Sequence, residues 1–368
     1  MTREMKIVRR GPREFSHQIG NWPGPGRPKD QTRRGTVNAT RYRFSLLLFL
    51  LLLAGQLHPA ATAQNPPRQF ALKAQSPKLW RLLDRNAQLV KLAGAFGFTE
   101  GPVWDEHGFV YVSDEEQNKI FKLFSDGRKE ELIALGDPDG NTYDRQGRLI
   151  DCASVLRAII AVTPDGKYTV LADRFEGKKF NSPNDVIVGP DGALYFTDPT
   201  LDLVKGETQE IPFQGVYRLS ETGEVRLLTK DLTQPNGLAF SPDGKRLYVD
   251  DSKQRNIRVY DVNHDGSLAN GHVFGEEAGD YHEGVPDGMR VDKAGNLYVT
   301  GPKGIWVWDS QGHHLGTIEM PEQPANLNWG DSDYRTLYIT ATTSVYKLRT
   351  KTRGYVPYHQ SKDHSNRK

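Results

Sequence analysis

The chain has 368 residues, 48 Lys/Arg against 46 Asp/Glu, 37% hydrophobic residues and one cysteine. Its first 63 residues hold 11 Lys/Arg and 3 Asp/Glu, so the other 305 carry 37 basic and 43 acidic groups, a net charge of −6. That mildly acidic body offers no attraction for nucleic acid or an anionic membrane surface, and a lone cysteine excludes an internal disulfide.

In chain order, residues 1–40 are rich in Arg, Pro and Gly and show no foldable pattern. Phe44 to Ala54 is then an unbroken apolar run behind Arg41 and Arg43, followed by Ala61-Thr62-Ala63. A charged flank, a short apolar run and a small-residue exit are the parts of a secretory signal peptide. Eleven apolar residues fall short of a bilayer core, so no permanent membrane span is expected. Residues 1–63 are therefore expected to be a leader and signal peptide, with export to the periplasm or beyond. Residues 64–84 read as a linker, 85–350 as the folded domain and 351–368 as a polar tail.

From Thr99 onward one pattern recurs six times. An Asn, Asp or Glu, beside Pro or Gly in five of the copies, opens an apolar strand, a turn and a second strand. The copies are Thr99-Glu100-Gly101, Pro138-Asp139-Gly140, Pro183-Asn184-Asp185, Pro235-Asn236-Gly237, Pro286-Asp287-Gly288 and Ala325-Asn326-Leu327. After each comes a turn (Asp105-Glu-His-Gly108, Pro190-Asp-Gly192, Pro242-Asp-Gly244) and an apolar run such as Leu194-Tyr-Phe196 or Leu247-Tyr-Val249. Period-two alternation marks these runs as strands. A second hairpin completes each copy, as in Gly215-Val-Tyr-Arg-Leu219 before Glu221-Thr-Gly223. Turn glycines at 108, 147, 192, 244 and 295 fix a period of about 40 to 50 residues. Four strands at that period predict an all-β fold, a six-bladed β-propeller of four-stranded blades. Gln88 to Leu92 is expected to close the last blade and cover its edge. Cys152 is expected as a small buried hydrophobe.

Each marked residue stands before the innermost strand of its blade, which puts six oxygen-bearing side chains at one channel mouth. Hard oxygens from mixed carboxylates and amides suit Ca²⁺ ahead of Mg²⁺ or Mn²⁺, and Zn²⁺, the softer-ligand ion, less well. Singly, an Asn or Asp beside Gly is also an ordinary turn residue. Glu100 is not, and six converging copies point to a site.

Phe98-Thr-Glu-Gly-Pro-Val-Trp104, Asn181-Ser-Pro-Asn-Asp185, Pro235-Asn-Gly-Leu238 and Val285-Pro-Asp-Gly-Met289 resemble signature stretches of the gluconolactonase and regucalcin family. The resemblance implies a six-bladed propeller with one channel cation and a hydrolase of sugar-acid lactones. It implies Glu100, Asn236 and Asp287 as metal ligands, Asn184 as a ligand that also meets substrate, and Asp287 as the catalytic base. Ser182 stands where animal members carry a substrate-holding Arg. Ser182, Asp139, Asn326 and His282 are expected around the lactone or ester substrate with Asn184. The competing readings are a non-catalytic propeller binding a ligand or a protein, and a related propeller esterase or phosphotriesterase.

Overall fold

The computed structural model describes residues 68–358; the expected signal peptide and leader lie outside them. Six four-stranded antiparallel sheets form the six blades of a propeller. The innermost strands are Thr99–Asp105, Pro138–Tyr143, Val186–Val188, Pro235–Phe240, Met289–Val291 and Pro324–Gly330. These strands and the next ones out are almost wholly buried, polar residues of the inner strands included. The outermost strands are mostly half-buried or exposed. Cys152 is fully buried in the second strand of blade 2. Among the described residues no helix is long and apolar enough to cross a membrane.

The ring closes as the sequence predicts. Leu89–Ala93 pairs antiparallel with Ser344–Arg349, with Leu89 opposite Leu348 and Lys91 opposite Tyr346. The first outer strand of the fold thus completes the last blade, and no open edge is left at the seam. Glu322 staples that seam. Its Oε1 accepts from Ser344 Oγ at 2.6 Å, Tyr346 Oη at 2.6 Å and Lys91 Nζ at 3.2 Å, and its Oε2 from the Thr343 N–H at 3.2 Å.

Two terminal segments depart from expectation. The described part of the expected linker is packed, not loose. Ala71–Ala74 adds a fifth strand to blade 5 by pairing with His314–Glu319, and Leu79 and Leu83 are fully buried. An edge strand with free N–H and C=O groups accepts any chain segment that can reach it, and this one is close in space. The described part of the expected tail is packed too. Lys293 N–H donates to Arg353 O at 2.8 Å, and Tyr355 N–H to Val291 O at 3.0 Å. Tyr358 is buried, its ring 5.5 Å from Tyr143. Tyr355, Pro357 and Tyr358 line a small cavity with Thr142, Ile187, Phe240, Arg290 and Asn328, which come from five blades. The C-terminal segment therefore lies across the axis and closes one end of the channel.

Burial raises the proton affinity of Glu322, but donation from Ser344, Tyr346 and Lys91 outweighs it and holds the carboxyl at about 2. A depressed carboxyl stabilises the fold above its unfolded value and loses that stabilisation as pH falls toward 2. Glu322→Ala is expected to cost about 1–3 kcal/mol at neutral pH. The difference from the parent should shrink between about pH 4.5 and pH 2 in denaturant titrations. An equal midpoint at pH 7 would contradict the staple.

Candidate active site and metal centre

The six marked residues do not occupy ordinary turns. Glu100, Asp139, Asn236 and Asn326 lie in the first residues of their inner strands, and Asn184 and Asp287 just before theirs. In those four blades the register with the second strand slips at the marked residue: between Glu100 and Val103, Pro138 and Asn141, Pro235 and Leu238, and Pro324 and Asn326. A β-bulge re-aims a side chain that the regular pleat would point elsewhere. The glycine that follows serves close packing between blades. A Cβ on Gly237 would sit 2.0 Å from the Asp287 carbonyl oxygen, and one on Gly288 would sit 2.1 Å from Asn326 Cγ.

The loops that carry the site are held by carboxylates at the ends of the second strands. Asp114 accepts from the N–H groups of Gly97 and Phe98, just ahead of Glu100, at 3.0 and 3.3 Å. Asp251 accepts from Thr233 at 2.5 Å and Gln234 at 3.2 Å, ahead of Asn236. Asp198 accepts from Asn181 at 2.9 Å, ahead of Asn184. These three were missed from the sequence. Their signal was present in Ser113-Asp114, Thr197-Asp198 and Asp250-Asp251, a polar pair ending the same strand in three blades.

Hydrogen bonds run around the channel mouth from blade to blade. Asn326 Nδ2 donates to Glu100 Oε2 at 2.8 Å, and the Gly101 N–H donates to the same oxygen at 2.8 Å. Asn184 Nδ2 donates to Asp139 Oδ2 at 2.7 Å, with Ser154 Oγ on that oxygen at 3.4 Å. The Asn236 side chain bonds Asp287. Further links complete the circuit: Asn141 Nδ2 to Gly101 O at 3.0 Å, Gly140 N–H to Asn184 O and Gly288 N–H to Ala325 O, both 2.8 Å, and Thr197 Oγ1 to Asn236 O at 2.7 Å.

Glu100, Asp139, Asn184, Asn236 and Asn326 are all buried, whereas Asp287 keeps partial exposure. Burial pushes the Glu100 carboxyl up to about 8; Asp185 adds to this, while the Gly101 N–H, the Asn326 amide and Arg290 oppose it. Asp139 and Asp287 are likewise raised well above the carboxylate range, first by burial and then by neighbouring carboxylates. Beneath them, Arg290 Nη1 meets Asp185 Oδ2 at 3.2 Å in a buried ion pair. Such a group of carboxylates either takes up protons or holds a cation.

The donor set fits a hard divalent ion. Among the described residues, Glu100 Oε1, Asn184 Oδ1 and Asn236 Oδ1 accept no hydrogen bond, their partner atoms having been used on neighbours. Two carboxylates and two amides supply oxygens alone, as Ca²⁺ chemistry favours. No three His, Cys, Asp or Glu side chains among the described residues stand close enough to form a metal cage by themselves. The amides are therefore integral to any such site.

Other expected substrate contacts fall elsewhere. Asn326 spends Nδ2 on Glu100 and Oδ1 on the Leu327 N–H, so it braces a ligand position instead of facing a substrate. Asp139 likewise braces Asn184. Ser182 is fully buried, its Oγ donating to Pro199 O at 2.9 Å and accepting from the Asp202 N–H at 3.2 Å. Its one proton is spent on Pro199 O, and its burial leaves no face open to a ligand. His282 lies on an exposed 3-10 turn, its N–H held by Asp280.

Gly237→Ala is expected to force the Asp287 backbone outward and cost about 1–3 kcal/mol. Unfolding by denaturant measures this; an unchanged midpoint would contradict the close approach of blades 4 and 5.

Comparison with known proteins agrees with the fold. The SMP-30/gluconolactonase/LRE-like region family matches residues 98–343. A gluconolactonase of Zymomonas mobilis is 35% identical over 82% of this chain and 92% of its own. The pentonolactonase XacC of Haloferax volcanii is 28% identical over 66% of this chain and 80% of its own. The solved structure of a gluconolactonase from Xanthomonas campestris superimposes with a TM-score of 0.71 at 32% identity, covering 78% of this chain and 99% of that one. With the family region spanning the first five blades and the two inner strands of the sixth, the chain belongs to the SMP-30/gluconolactonase/LRE-like family.

Proposed function

We propose that this protein is a metal-dependent lactonase that opens a sugar-acid lactone. The observation that carries the reading is the set of acceptor oxygens on Glu100, Asn184 and Asn236 turned away from protein donors beside Asp287. Relatives named for lactone hydrolysis support it. Glu100, Asn184, Asn236 and Asp287 would hold the cation, with Ca²⁺ ahead of Mg²⁺, Mn²⁺ or Zn²⁺. When bound, a divalent cation polarises a carbonyl and acidifies a coordinated water.

The chain's own residues do the rest. Buried walls limit bulk water at the ring, which strengthens every charge interaction there. Asp287, the most exposed of the four, faces the channel and orients the attacking water. A carboxylate that shares a cation has its charged form favoured, so Asp287 positions the water as much as it takes the proton. Addition of water to the carbonyl carbon breaks the ring C–O bond, and the leaving alkoxide takes up a proton to give the hydroxy acid. Asn326 and Asp139 keep Glu100 and Asn184 from swinging out of register. The apolar run of residues 44–54 with its Ala61-Thr62-Ala63 exit supports export and maturation near Ala63.

Chelator treatment is expected to abolish turnover of lactones, and added Ca²⁺ to restore it. Asp287→Ala is expected to lower kcat by about 10²–10³-fold or more. Assays on lactones, aryl esters and phosphotriesters, with and without chelator, measure this. Chelator-resistant turnover, or near-normal turnover by Asp287→Ala, would contradict the reading.

A further inference from the structure

In blades 1, 3 and 4 the carboxylate that holds the incoming loop stands at the last pair of the second strand: Asp114 opposite Lys119, Asp198 opposite Gly215, Asp251 opposite Asn256. Blades 2, 5 and 6 end that strand instead in Ala153, Gly301 and Ala341. None of these three has a side chain that can accept a hydrogen bond. For blades 5 and 6 the restraint comes from outside the repeat. Arg68, three residues ahead of the Ala71–Ala74 strand, donates from Nη2 to Glu283 O at 2.9 Å and from Nη1 to Gln323 Oε1 at 2.8 Å. Glu283 lies four residues before Asp287, and Gln323 three before Asn326. The Gln323 Nε2 donates in turn to Gly301 O at 3.1 Å and Pro324 O at 3.2 Å. It thus reaches the strand end that lacks a carboxylate. A guanidinium only donates, so Arg68 fixes which end of the Gln323 amide faces Gly301. Gly284 packs on the same amide: its φ is +126°, and a Cβ there would sit 2.1 Å from Gln323 Nε2.

We propose that Arg68 is a positioning residue for the channel site. By joining the loops ahead of Asp287 and Asn326 it holds the Asp287 carboxylate, and through Asn326 the Glu100 carboxylate, at the spacing that one cation and the attacking water require. The inference rests on the lactonase reading and adds to its machinery a residue from outside the repeat. The Lys303 N–H on Glu283 O at 2.8 Å and the Lys303 Nζ near Glu283 Oε1 at 3.3 Å tie Glu283 to its own blade and do not reach Gln323. A lysine at position 68 could serve one of the two acceptors, but a point charge cannot fork between them. Ligand oxygens displaced by a slack loop lose metal affinity and rate while the fold persists, because the residues that orient a ligand matter nearly as much as the ligand.

The test compares the parent with Arg68→Ala, Arg68→Lys, Gln323→Ala and the double variant Arg68→Ala/Gln323→Ala. Lys73→Ala, which takes another cation of the same segment from its ion pair with Glu319, is the control. In the metal-free protein, amide hydrogen exchange over residues 283–288 should quicken about tenfold in Arg68→Ala and stay unchanged in blades 1 and 3. The Ca²⁺ Kd by calorimetry should rise about tenfold, and kcat on D-glucono-δ-lactone should fall by a similar factor with KM nearly unmoved. Arg68→Lys should restore only part of the loss, the double variant should be no worse than the worse single one, and Lys73→Ala should match the parent throughout. Parent-like exchange over 283–288 in Arg68→Ala would overturn the inference, as would quickened exchange with parent-like Ca²⁺ affinity and kcat. Full rescue by Arg68→Lys, or additive losses in the double variant, would overturn it too. A parent that neither binds Ca²⁺ nor opens lactones would count against the lactonase reading, while the exchange comparison still decides whether Arg68 joins the two loops.

Discussion

Mutual repulsion among carboxylates held out of water is the constraint around which this propeller is arranged. Glu100, Asp139 and Asp287 come from blades 1, 2 and 5, and each has its proton affinity raised first by burial and then by neighbouring carboxylates, Asp185 in the case of Glu100. Left to itself such a centre would spread apart or protonate. The fold prevents the first by hydrogen-bonding ring members across blade boundaries, so that no carboxylate can retreat without leaving a buried amide unpaired. One compensating charge is internal: Arg290, paired with Asp185 below the ring. It opposes only part of the acidity, which leaves a site poised for an external cation.

Everything outside the ring keeps that geometry rigid. Bulges turn the marked residues off the regular pleat, carboxylates on the second strands fix the incoming loops, and glycines let neighbouring backbones touch. The seam between the first and last strands is closed by pairing and by Glu322. Closure at the seam and rigidity at the axis are one requirement. If blade 6 drifts, Asn326 moves away from Glu100.

Much of this was legible because a repeat prints its rules more than once. The period and the turn glycines gave the blade number, and the marked Asn, Asp and Glu gave the mouth. What a residue type does not reveal is which of its atoms is already spent. Asn184 and Asn326 look alike in sequence, yet Asn326 uses both side-chain atoms on protein while Asn184 keeps its oxygen. The features that were not legible occur once and join distant parts of the chain: Asp185 with Arg290, 105 residues apart, and Lys91 with Glu322, 231 apart. The fifth strand of blade 5 and the C-terminal cap belong to the same group. Both segments lie outside the repeat, and both are ordered by edges and openings that only the finished propeller presents.

The account stands on a single hard ion at the axis, and crystals grown with Ca²⁺ test it most directly. Anomalous density is expected on the channel axis, with oxygens of Glu100, Asn184, Asn236 and Asp287 at about 2.3–2.6 Å. A well-ordered channel holding only water there, or an ion bound away from these four side chains, would contradict it.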